Sequence, residues 1–144
     1  MLRAVIGLVL VSHGELAPTL LEVASQIIGP IEAAIPVAVA RHESLTDVED
    51  RVRDAIRRSN RGHGVLVLAD VFGGSATNVA VQLMGDLAAE VAVEVLAGVN
   101  LPMVLKAGSA GRMSTDVRAH ADLVRSYGQR NVIIASEALR GRAS

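Results

Sequence analysis

Five short runs of this chain are apolar or nearly so, and between them the sequence switches to a helical period. The runs cover residues 5–11, 35–40, 64–69, 91–97 and 131–135. A strand covered on both faces loses the polar alternation of a half-exposed one, which is the pattern of a parallel sheet. Strands that alternate with helices then point to an α/β sandwich, with a mainly parallel sheet between two helical layers. The intervening segments agree. In residues 15–28, Leu16, Leu20, Val23, Ala24, Ile27 and Ile28 fall on one side of a helix, and Gly29-Pro30 ends it. Ser44 and Asp47 have capping-box spacing, with Asp in place of the usual Glu, and open a helix carrying Val48, Val52 and Ile56. Ser75 is the expected cap of a helix over 75–84, and a short helix is expected over 102–107. Ser114 or Thr115 is expected to cap a last helix that ends near Tyr127. Residues 136–144 read as a polar tail, frayed from Arg140 onward. The expected fold is one doubly wound domain over residues 1–144, three layers deep, with sheet order 2-1-3-4.

Composition narrows the function classes. The chain is 51% hydrophobic over 144 residues, enough for a core without metal or disulfide staples. There is no cysteine, so thiolate metal sites and disulfides are excluded. A formal net charge of −1 provides no field for nucleic acid or an anionic membrane. Phe72 and Tyr127 are the only aromatics, which argues against base stacking. The first twelve residues are apolar but too short to span a bilayer, so they read as a core strand of a cytoplasmic protein.

In doubly wound sheets, ligands bind beyond the carboxyl ends of the strands where the strand order reverses. His13-Gly14 follows the first strand, and Asp70 with Gly73-Gly74-Ser75 follows the third. Taken singly, His13 reads as a hydrogen-bonding structural residue, Asp70 as a cap and Gly73-Gly74 as a tight turn. Packing does not require all three at one sheet edge, and together they suit a nucleophilic imidazole. A carboxylate that accepts from Nδ1–H fixes the tautomer and leaves the Nε2 lone pair free. The helix start after Gly14, the Gly74 and Ser75 amides and the Ser75 hydroxyl can receive phosphoryl oxygens. Such a site needs no metal and no cofactor. His42 is placed on a solvated loop near the rim, His63 at the opposite sheet edge, and His120 on the exposed side of the last helix. None has metal-ligand spacing.

Three segments carry a resemblance: VSHGELAPTLLEVASQIIG, GVLVLADVFGGSATNVA and LAGVNLPMVLKA, in that order. With them the chain resembles the IIA domain of the mannose family of the bacterial phosphoenolpyruvate:sugar phosphotransferase system, from residue 5 to about residue 107. The resemblance implies that His13 is phosphorylated, that Asp70 orients it and that Ser75 lies beside the phosphohistidine. Phe72 stands where an aromatic, often Trp, is usual. It implies a cytoplasmic homodimer that exchanges an antiparallel edge strand, here residues 131–135. Phospho-HPr would be the donor and a IIB protein the acceptor, with membrane IIC and IID components served only indirectly.

Two departures stand out. Arg41-His42-Glu43 replaces the small, Gly-containing sequence usual after the second strand, and the chain ends at Ser144 without the hinge and IIB domain of some members. A free IIA could serve a transporter or regulate by its phosphorylation state. The phosphocarrier domain of dihydroxyacetone kinase systems is the nearest alternative. A receiver-like signalling module would need an acidic pair where Ser12-His13 stands. A Ser-His-Asp hydrolase would need a G-x-S-x-G elbow, and a nucleotide P-loop its lysine motif; neither occurs.

Overall fold

Four of the apolar runs are strands: β1 (Gly7–His13), β2 (Ala34–Val39), β3 (Val65–Ala69) and β4 (Val93–Ala97). The computed structural model describes residues 4–109, 112 and 116–143. Every strand pair is parallel, as the alternation implies, and the order is the expected β2-β1-β3-β4. The helices are α1 (Leu16–Ile28), α2 (Leu45–Ser59), α3 (Ser75–Asp86), α4 (Leu101–Ala107), α5 (Val117–Arg130) and α6 (Ala135–Ala143).

The pleat divides the apolar strands between two cores. Val9 and Val11 of β1 join Val65 and Val67 against Val52 and Ile56 of α2 and Ala80 and Leu83 of α3. Leu8 and Leu10 point the other way, with Leu66 and Leu68, onto Ala24 of α1, Val104 of α4 and Val124 of α5. Both faces of β1 and β3 are therefore covered, and their nine strand-core positions from Leu8 to Val11 and Val65 to Ala69 carry almost no exposed surface. From β1 the chain crosses to β2 on one side, and β3 and β4 lie on the other. The carboxyl ends of β1 and β3 thus flank the switch point.

Helix ends follow local chemistry. Ser44 caps α2 by accepting from the Asp47 amide at 3.1 Å, as the capping spacing predicts. Gly74, not Ser75, is the N-cap of α3, and Ser75 is its first residue. Asp116 caps α5 through the Ala119 amide at 2.7 Å, while Ser114 and Thr115 lie outside the described residues. The start of α1 takes its cap from further back. The buried Ser12 hydroxyl accepts from the Ala17 amide at 2.7 Å, across the turn that Gly14 makes at φ +53°.

The C-terminal expectations need correction. Residues 131–134 are not a strand, and the expected polar tail is helix α6 as far as Ala143. Asn131 ends α5 instead, its side-chain amide donating to the Tyr127 carbonyl at 2.8 Å. A strand needs a neighbour to satisfy its backbone, and in one chain this short connector meets none. Val132, Ile133 and Ile134 are left 77%, 66% and 62% exposed. His120 also differs from expectation. It lies on the buried stripe of α5 with Val117, Ala121 and Val124, and its Nε2 is 3.2 Å from the Ala107 carbonyl.

Candidate functional site

Register brings the two polar clusters together. Val11 pairs with Ala69 across β1 and β3, so Asp70 emerges beside the end of β1, its amide 3.2 Å from the Val11 carbonyl. Oδ2 of Asp70 accepts from the His13 amide at 2.9 Å and meets His13 Nδ1 at 2.8 Å. Oδ1 accepts from the Val71 amide at 2.9 Å. The Asp70 side chain is only 11% exposed, whereas that of His13 is 61% exposed. Burial by itself would raise the Asp70 carboxyl, but the hydrogen bonds from His13 and Val71 outweigh it and hold the group below the usual carboxylate range. Ionised, Asp70 can only accept. Nδ1 must then carry the hydrogen, and the free lone pair of the neutral ring sits on Nε2.

The glycine-rich turn approaches the ring closely. A Cβ on Gly74 would lie 3.4 Å from His13 Cε1 and 3.9 Å from Nε2, in ordinary contact with the imidazole, so the backbone here borders the ring directly. As an N-cap, Gly74 has no side chain to occupy the first amides of α3, which stay available to an anion. Ser75 is exposed and lines a cleft of about 330 Å³ with His13 and Gly14. No hydrogen bond links the Ser75 hydroxyl to His13 among the described residues. The structure therefore gathers all five predicted site residues, His13, Gly14, Asp70, Gly74 and Ser75, at one sheet edge.

Two supporting residues escape a reading by motif. Ser12 anchors α1, as described above. Thr77, buried in α3, donates its hydroxyl to the Val71 carbonyl and so ties the turn carrying Asp70 to the helix. The hydroxyl at the third residue of α3 was the available signal. The rim is apolar on one side, where Phe72 is 84% exposed and Val71 50% exposed. His42 is exposed and is not among the residues lining the cleft. His63 lines a separate cavity with Glu90 and Asp116, away from His13. Among the described residues no group of three or more His, Asp or Glu could hold a metal ion, and no helix is long and apolar enough to cross a membrane.

Residues 7–124 match the family model EIIA-man, described as the PTS system fructose IIA component. The chain belongs to the mannose family of EIIA components. Relatives agree with that assignment. The PTS system fructose-specific EIIA component of Bacillus subtilis is 28% identical over 101 residues, 70% of this chain and 67% of that one. The mannose-specific EIIAB component of Escherichia coli K12 is 30% identical over 101 residues, and there the match spans 30% of the relative's length. Among solved structures, the mannose/sorbose specific IIA subunit of Enterococcus faecalis superposes with a TM-score of 0.80 at 27% identity, covering 92% of this chain and 95% of that one. The EIIA component from Streptococcus agalactiae shares the fold with a TM-score of 0.83 at 24% identity, over 92% of this chain and 98% of that one.

Proposed function

We propose that this EIIA chain is a phosphohistidine carrier in the cytoplasm. His13 Nε2 takes a phosphoryl group from phospho-HPr and passes it to a IIB partner, for sugar uptake or for regulation. The observation that carries the reading is the 2.8 Å contact between Asp70 and His13 Nδ1, which leaves Nε2 as the nucleophile beside an open helix N-terminus. In the transfer, the Nε2 lone pair forms the new P–N bond as the donor's P–N bond breaks, and that electron pair returns to the donor's nitrogen. The ring gains positive character, which the Asp70 carboxylate stabilises. The Gly74 and Ser75 amides and the Ser75 hydroxyl receive the phosphoryl oxygens. The exposed ring of Phe72, beside the half-exposed Val71, suits contact with a protein partner, because covering an exposed aromatic buries a large apolar area.

The working form of the protein is a homodimer. Residues 131–135 are the exchanged segment, adding an antiparallel strand to a partner's sheet edge. The exposure of Val132, Ile133 and Ile134 supports this, since pairing would bury them.

Incubation with phosphoenolpyruvate, enzyme I and HPr, followed by intact-mass measurement, tests the reading. One acid-labile phosphate is expected on the native chain and none on His13→Gln. Absence of phosphate, or its persistence in His13→Gln, would overturn the assignment.

A further inference from the structure

The lining of the cleft beside His13 includes two charged side chains from the loop after β2, Arg41 and Glu43. Arg41 lines it together with His13, Gly14 and Ser75. The loop that bears Arg41 is fixed to the loop that bears His13. β1 and β2 pair His13 with Val39, and the Gly14 amide donates to the Val39 carbonyl at 2.9 Å. The loop also closes on itself. The Glu43 amide donates to the Ala40 carbonyl at 3.1 Å, and the Ala40 amide donates to Glu43 Oε1 at 3.1 Å.

Glu43 is the acid nearest in sequence to Arg41, and it is already engaged. Arg51 donates to its two oxygens at 2.7 and 2.8 Å and to the Ala38 carbonyl at 2.8 Å. Arg41 itself is exposed and has no ion pair or hydrogen bond among the described residues. The result is a hydrogen-bonded loop on which Glu43 and Arg51 neutralise each other and, among the described residues, the Arg41 guanidinium has no partner. The helix N-termini at this edge offer amides and partial charges, but no formal positive charge. A phosphoryl group on Nε2 brings a formal negative charge, which a guanidinium matches in geometry and in sign.

We propose that Arg41 is a phosphoryl-contacting residue of this site, its guanidinium donating to the oxygens of the phosphoryl group carried on His13. The proposal rests on the phosphohistidine reading and adds a residue to it. Arg41 stabilises the phosphorylated state and draws the transfer equilibrium toward this chain. It also holds the phosphoryl group in its more ionised form.

The test uses the full chain, Arg41→Ala and Arg41→Lys. Each is loaded with excess phospho-HPr and then purified away from it, so that docking plays no part. Phosphorus NMR then follows the second ionisation of the phosphoryl group with pH. Quench assays give the equilibrium of transfer from phospho-HPr. In Arg41→Ala the ionisation should move to higher pH, and the equilibrium should shift toward the donor by about three- to tenfold, the scale of one partly exposed charge-assisted contact. Arg41→Lys should recover part of both. Identical phosphorus titrations in native and Arg41→Ala protein would overturn the proposal. A rise in KM for phospho-HPr without any change in the isolated phosphoprotein would also overturn it, and would assign Arg41 to partner docking. Failure of the native chain to load at all would instead reject the phosphohistidine reading, and Arg41's role with it.

Discussion

Replacing Asp70 with Asn probes the site most sharply, because it keeps shape and removes one acceptor. Asp70 accepts three hydrogen bonds: two on Oδ2, from the His13 amide and Nδ1, and one on Oδ1, from the Val71 amide. An Asn has a single carbonyl oxygen. If that oxygen faces His13, the amide NH₂ meets the Val71 N–H, donor against donor. If it faces Val71, the NH₂ meets the His13 amide and Nδ1, and the imidazole must flip its tautomer, which places hydrogen on Nε2 and removes the nucleophilic lone pair. Either arrangement strands at least one backbone donor, at about 1–3 kcal/mol for a buried group and near the lower figure here, because Val71 is half exposed. Both also lose the carboxylate charge that supports the developing imidazolium. Single-turnover transfer from purified phospho-HPr should slow by tens to thousands of fold, on the order of the range for orienting and acid–base groups. Urea unfolding should show a loss of about 1 kcal/mol. Rapid-quench transfer at the native rate would remove Asp70 from the mechanism.

Ser12→Ala should cost about 0.5–2 kcal/mol of stability in urea titrations, because the Ala17 amide loses the hydroxyl that caps α1; an unchanged midpoint would mean that water or Glu15 replaces it. Burial pushes His120 below its ordinary value, with its hydrogen bond to Ala107 opposing, so the unfolded chain binds a proton before the folded one does. The stability that follows is complete above the unfolded value and is lost as pH falls toward the folded one. Native protein should therefore lose more stability than His120→Leu between about pH 7.5 and about pH 5.5, and parallel losses would contradict the sign. Light scattering should give twice the 15.0 kDa chain mass, and truncation before Asn131 should cause aggregation or loss of fold. A native mass of one chain at micromolar concentration would refute the exchanged segment.

The parallel sheet, and with it the arrival of His13 and Asp70 at one edge, could be read from residue pattern because both follow from burial, whereas the order of the strands does not follow from burial alone. Runs such as residues 64–69 have no polar face, so they had to be covered on both sides, and a parallel sheet then carries the ends of β1 and β3 to one edge. What escaped the sequence depends on where a chain has a partner. Residues 131–134 are as apolar as a core strand, yet hydropathy says nothing about which surface receives them. His120 was misplaced for a different reason. Its position three residues beyond Val117 and one before Ala121 sets it on the buried stripe, but residue type suggested solvent. Ser12 and Thr77 each place a hydroxyl on backbone several residues away, contacts that no short motif declares.

If Asp70 holds Nδ1–H, as the 2.8 Å contact supports, the phosphoryl group should sit on Nε2 of His13 and arrive without a divalent cation. Phosphorus–nitrogen coupling in an imidazole-labelled sample measures this directly, with phosphorylation started from purified phospho-HPr in EDTA. Coupling to Nε2 with full transfer is the predicted result. Coupling to Nδ1, or no transfer until Mg²⁺ is restored, would contradict the account.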